Sequence, residues 1–320
     1  MTLRHIRSMA VVAAVACLPT LLLAQGGRGG GTQSETMAAA SLALREGRTA
    51  DALVAVRKEA AANPTSTAAA NMLDVLGATA EAKAIFQRQI DAATDPATKA
   101  AAQRAMAMSY AFDGNCANTA KYEEMVIAYW VTREQAEPQN AFYQEGEMAN
   151  EAARVCIDSG EFAIASQLYS RGRELGLKEP EPKTHPTSLW DYRTEHARAR
   201  LTARRNEKDT AMNHVAEARR ILDSDPKMAE AQERFFPYLT GYVSLYLNDL
   251  KTAEADLNKA VAIQGNSSDP FMHALLGMTY EKLGQADKAK ELYTKAYGLA
   301  TAHNPPAAFT RPFTRKKLGL

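Results

Sequence analysis

The chain has 320 residues and is almost electroneutral, with 38 Lys and Arg against 37 Asp and Glu. That balance argues against a general nucleic-acid binder, which needs a basic face or stripe. Strong helix formers dominate, and no alternating Val/Ile/Thr run reads as a sheet.

In chain order, the first segment reads as an address rather than as a fold. Arg4, His5 and Arg7 precede an apolar run from Met9 to Leu23, interrupted by Pro19 and followed by small Ala24. This pattern predicts a secretory signal peptide over 1–24, cleaved after Ala24. The run of about 15 residues is short of the roughly 20 that a bilayer-spanning helix needs. No membrane span is therefore expected in the mature chain, which would be exported, periplasmic or secreted. The alternative is a lipoprotein-type signal at Ala14-Val15-Ala16-Cys17 with Cys17 acylated, but the usual Leu three residues before the Cys is missing. The Gly-rich stretch 25–33 predicts a flexible spacer. Without a preceding strand or a G-K-[ST] it is not a phosphate loop. Thr32-x-x-Glu35 has the form of a capping box and predicts the first helix start.

Seven helix–turn–helix units are then predicted across 34–302. Their turn residues are Gly47, Gly77, Gly114, Gly160, Asn206, Asn248 and Gly284. Gly and, second, Asn tolerate the left-handed conformation that ends a helix. Pro64, Pro96, Pro138, Pro226 and Pro270 fall between units, where helix sterics tolerate them. Lys178 to Pro186 carries three prolines and predicts a hinge or semi-rigid spacer between the fourth and fifth units.

The last unit is the most informative. It reads His273-x2-Leu276-Gly277-x2-Tyr280, then Gly284, then Ala289-x3-Tyr293-x2-Ala296. Gly241, Asn248, Ala253, Leu257 and Ala260 repeat these offsets, and weaker copies run back to Ala43, Gly47, Ala52 and Val56. The pattern resembles the tetratricopeptide repeat, strongly at the C-terminal end and approximately before residue 140. The resemblance implies an all-α solenoid of about seven antiparallel helix pairs, because one such unit cannot bury its apolar face alone.

The same resemblance places two further sets of residues. Cys116 would begin the second helix of pair three and Cys156 would end the first helix of pair four. Sequential antiparallel helices bring those ends together, so a disulfide is expected in an oxidising compartment. Two buried free thiols are the alternative. In tetratricopeptide arrays the inward positions of first helices line a concave groove. By offset these are Arg154 in pair four, with Asn150 and Asp158, then Arg200 and Arg204 with His196 in pair five, and Tyr238, Tyr242 and Tyr246 in pair six. Arg and Tyr are enriched at binding hot spots. Their alternative role is packing between repeats.

Residues 303–320 contain Phe309, Arg311, Phe313, Arg315, Lys316 and Lys317 and no acid. They predict a solvated basic and aromatic tail, or a docking segment for an anionic membrane or partner. No H-E-x-x-H, G-x-S-x-G, P-loop or CxxC occurs, and the six histidines are scattered. His196 and His214 lie in two helices of one pair and are expected to approach each other, without a ligand set for a metal. The expectation is thus a non-enzyme without a cofactor: an exported scaffold that binds an extended peptide segment of an envelope partner. The alternative is a repeat module that binds a glycan or a small ligand.

Overall fold

The computed structural model describes residues 34–320. The expected signal peptide, the spacer at 25–33 and Thr32 lie outside the described residues. Ser34 caps the first helix instead, its side chain accepting from the Met37 amide.

Among the described residues the chain is helical throughout, and it folds as seven consecutive hairpins. These are α1 (Glu35–Arg45) with α2 (Thr49–Ala62), α3 (Thr67–Leu76) with α4 (Thr79–Ala92), and α5 (Pro96–Phe112) with α6 (Cys116–Val131). Then come α7 (Pro138–Asp158) with α8 (Phe162–Gly176), and α9 (Thr187–Arg204) with α10 (Lys208–Ser224). The sixth hairpin is preceded by a short α11 (Pro226–Gln232) and a 3-10 turn, and pairs α12 (Phe236–Tyr246) with α13 (Leu250–Ala262). The seventh pairs α14 (Pro270–Lys282) with α15 (Ala286–Leu299), and α16 (Pro305–Leu318) closes the chain.

The seven turns share one geometry. Gly47, Gly77, Gly114, Gly160, Asn206, Asn248 and Gly284 all have positive φ. In each, the amide after the turn residue bonds the carbonyl five positions before itself, from Arg48 to Ala43 through Gln285 to Tyr280, at 2.8–3.0 Å. This is the Schellman closure, which satisfies carbonyls that a helix end leaves orphaned. Small residues then let each pair close. A Cβ on Gly277 would sit 2.7 Å from the Tyr293 ring, and one on Gly241 would sit 2.6 Å from Leu257 Cγ.

Consecutive hairpins stack, and Cys116 joins Cys156 across hairpins three and four with Cα atoms 4.7 Å apart. The bridge closes a loop of 40 residues. Replacing both cysteines by alanine should lower stability by about 4 kcal/mol on the chain-entropy scale. Denaturant unfolding measures this, and a loss below about 1 kcal/mol would show that the bond constrains little.

Two segments differ from the expectations. The proline-rich connection is pinned rather than free to hinge. Glu179 is buried there, and its carboxylate accepts from the Thr184 amide and hydroxyl and from the His185 amide, with His185 Nδ1 at 3.0 Å. The C-terminal segment is not a solvated tail. Helix α16 packs on α15 and α14 and also reaches α3, α5 and α7. Asn304 caps it, and one face carries buried Ala307, Ala308, Thr310, Arg311 and Thr314. Three of its four cations are engaged: Arg311 Nε and Arg315 Nη2 donate to the Val75 and Leu76 carbonyls at the end of α3, at 3.0 and 2.7 Å, and Lys317 Nζ pairs with Glu281 at 2.8 Å. Cations are favoured at a helix C-terminus, which accounts for basic residues turning inward. The repeat array is thereby closed from its last hairpin to its second.

Candidate functional site

The first helices α7, α9 and α12 bring the expected groove residues together, but at different depths. His196, Arg200, Tyr238 and Tyr242 are buried. Arg204 and Tyr246 are half-buried, and the Arg154 side chain is 42% exposed. The expectation of an open groove lined by all seven is therefore corrected. The large aromatic residues fill the spaces between repeats, and the surface is left to the residues one turn further on.

The buried arginine is held by phenols. Arg200 Nη2 donates to Tyr169 Oη at 2.8 Å, Nη1 to Tyr238 Oη at 3.4 Å and Nε to the His196 carbonyl at 3.3 Å. Arg204 Nη1 donates to Tyr242 Oη at 3.2 Å, and its guanidinium lies over the Tyr246 ring at 4.6 Å and the Phe162 ring at 5.1 Å. Such stacking suits a weakly hydrated, delocalised cation. Among the described residues, neither arginine has a carboxylate within 4.0 Å. Arg154 faces Glu147 at 3.7 Å, but Arg193 holds that carboxylate more closely, at 2.7 Å.

Asp158, at the end of α7, acts electrostatically on Arg204 and on Tyr238, Tyr242 and Tyr246. Burial raises its pKa to about 7, outweighing the opposing pull of Arg200, Arg204 and Arg154. Burial also drives His196 well below the ordinary histidine value, and Arg200 and Arg154 push it further. It is a neutral core residue that contacts Tyr192 and Tyr238 at 5.7 and 5.4 Å. His214 instead pairs with Glu195 at 2.6 Å, so the two histidines do not form a site. Burial pushes Tyr246 up to about 12, so its hydroxyl remains a donor at neutral pH. Among the described residues, no group of three His, Cys, Asp or Glu is placed to hold a metal.

Sequence offsets missed Tyr169, the best partner of Arg200, because it lies on a second helix. They also missed the aromatic row that continues the site. Tyr242 lies 6.5 Å from Phe271, Phe271 lies 5.0 Å from Phe309, and Phe309 stacks on Phe313 at 5.3 Å. The spacing of Phe309 and Phe313 on α16 was the available signal.

Residues 272–303 match the family model of the tetratricopeptide repeat. No curated protein matches the chain. Among solved structures it is similar to a tetratricopeptide repeat protein from Parabacteroides merdae ATCC 43184, at 15% identity and a TM-score of 0.43, over 83% of this chain and 92% of that one. Among the described residues, no helix is long and apolar enough to cross a membrane. The seventh hairpin is thus matched to the tetratricopeptide repeat, and the six hairpins before it close with the same left-handed turn.

Proposed function

We propose that the protein is an exported, non-catalytic interaction scaffold, and that an extended acidic segment of an envelope protein docks across Arg154, Arg204 and Tyr246. One observation carries this reading. Arg200 and Arg204 share a row with no carboxylate within 4.0 Å, and Arg204 stays half-exposed with guanidinium donors to spare. An anion supplied by a partner completes that arrangement, and a charge-assisted bond there is stronger than a neutral one. The charged start before Met9–Leu23 and the Cys116–Cys156 bridge support an oxidising, exported setting.

The burial pattern decides how the reading is tested. Arg204 also supports Tyr242, so its truncation mixes stability with binding. Arg154 is the cleaner probe, because its side chain is substantially exposed and its ion pair is long. In fluorescence anisotropy, extended peptides carrying Asp or Glu should bind, and more weakly as salt rises. Arg154→Ala should weaken binding about tenfold with little change in Tm. Arg204→Lys should also weaken it, since an ammonium cannot reproduce the stacked fork. Equal binding of Asn/Gln versions of the peptides, or no dependence on salt, would overturn the reading.

A further inference from the structure

A second, chemically opposite site lies beside this row. A cavity of about 210 Å³ sits where α5, α7 and α16 meet. It is lined by Ala111, Phe112, Asp113 and Gly114 at the end of α5, and by Val155, Asp158 and Ser159 at the end of α7. Pro305, Ala308, Phe309 and Pro312, spaced one face apart along α16, complete the wall. The floor is apolar, since Ala111, Phe112, Val155 and Ala308 are buried. The mouth is exposed at Asp113, Gly114, Ser159 and Pro312.

Three features give the cavity one sign of charge. First, its only formally charged lining residues are Asp113 and Asp158. Asp113 is already engaged by Lys83 Nζ at 2.5 Å and by the Thr79 hydroxyl at 2.7 Å. Among the described residues, Asp158 has no cation within 4.0 Å. Second, α5 ends at Phe112 and α7 at Asp158, so two helix C-termini converge on the space. Turn closure pairs the last carbonyls of both helices, Tyr110 with the Asn115 amide and Cys156 with the Glu161 amide, and the aligned peptide dipoles still leave each end partially negative. Third, Phe112 and Phe309 add aromatic rings to the wall, and the face of such a ring attracts cations. Arg154, Arg200 and Arg204 act on Asp158 through space, but none of them lines the cavity.

We propose that this cavity binds a primary alkylammonium group, its aliphatic stem on the Phe112–Val155–Phe309 wall and its charge against Asp158 and the two helix ends. The same chemistry occurs in a lysine side chain of a docked segment and in a free alkylamine. The site differs from the arginine row in the sign of what it holds. It also fits the raised pKa of Asp158, a carboxylate whose nearest cations are too distant to pair with it.

The probe is n-butylammonium, compared with n-butanol and butyrate, on the ¹⁵N-labelled full chain. The readout is the amide shifts of Gly114 and Ser159 at the mouth. Butylammonium should give saturable shifts at both, at least about tenfold tighter than butanol, because only the ammonium carries a charge to meet the Asp158 carboxylate. Asp158→Asn, which keeps the shape, should remove the preference for the amine. A blocked tripeptide with a central lysine is compared with its Nε-acetylated form. Tighter binding of the lysine peptide than of butylammonium assigns the site to a partner's side chain, and the reverse assigns it to a free amine. Equal affinity for butanol and butylammonium in the wild-type chain, or a preference for butyrate, overturns the proposal, and neither result depends on a variant that folds.

Discussion

Gly176→Ala should destabilise the protein by about 3 kcal/mol or more, the upper range for overpacking a rigid core site. A Cβ on Gly176 would lie 2.1 Å from Trp190 Cε2 and 2.2 Å from Cζ2. The indole cannot retreat, because its other edge lies against Gly146, where an added Cβ would meet Cη2 at 2.5 Å. Trp190 is 1% exposed, with the Arg193 guanidinium 5.1 Å from its ring and Tyr143 5.9 Å away. Two glycines thus make a slot that one tryptophan fills, locking α9 onto hairpin four. Trp190→Ala should cost about 3–5 kcal/mol through the cavity it leaves. The two changes should not add, since the cavity accepts the new methyl. Combining Gly176→Ala with Trp190→Leu should therefore be less harmful than the sum of the single changes in denaturant unfolding. Strict additivity, or a Gly176→Ala protein with an unchanged midpoint, would show that the slot is not rigid.

Legibility in the sequence followed the range of the contact. The seven turns were readable because a Schellman closure needs a positive φ, and few residues other than Gly and Asn supply it cheaply. The close approaches at Gly241 and Gly277 were readable because their offsets recur. Gly146 and Gly176 carried no such signal, since the residue they accommodate, Trp190, is one of only two tryptophans in the chain and does not recur from unit to unit. The arginine–tyrosine row was found by offset, but its depth was not. A tyrosine at an inward position points into the groove or between repeats according to how large its neighbours are. Tyr169 and Phe271 fill the adjacent space here and leave Tyr238 and Tyr242 buried. The role of α16 was hidden for another reason. Its partners are 229 to 239 residues away, and Arg311, Arg315 and His303 look in sequence like ordinary solvated groups.

Arg311→Ala should open the seam between the last hairpin and the second, at a cost of about 3 kcal/mol or more. Arg311 is 2% exposed and does three jobs. Its Nε donates to the Val75 carbonyl at 3.0 Å, its Nη1 donates to the Tyr297 carbonyl at 2.6 Å, and its guanidinium lies 3.5 Å from the centre of the Tyr297 ring. Truncation leaves two carbonyls unpaired and a hole in the interface. Around it, His303 Nε2 lies 2.8 Å from Asp74 Oδ2, Ser109 holds the other oxygen at 2.8 Å, and the His303 ring stacks on Phe112 at 5.6 Å. Burial, however, works against the charge on Arg311 and lowers its pKa to about 10. That cost offsets part of what its hydrogen bonds contribute, as for other buried ions. Arg311→Met, which restores the stem without the charge, should therefore recover a substantial part of the lost stability. Lys316→Ala, on the exposed side of the same helix, should stay within about 0.5 kcal/mol of the wild type. Hydrogen exchange separates closure from general weakening. In Arg311→Ala the amides at the end of α3 and in α16 should exchange faster, while those of α9 and α12 keep their protection. If all four helices lose protection together, α16 is part of a single cooperative core, and it does not act as a separable clasp across the array.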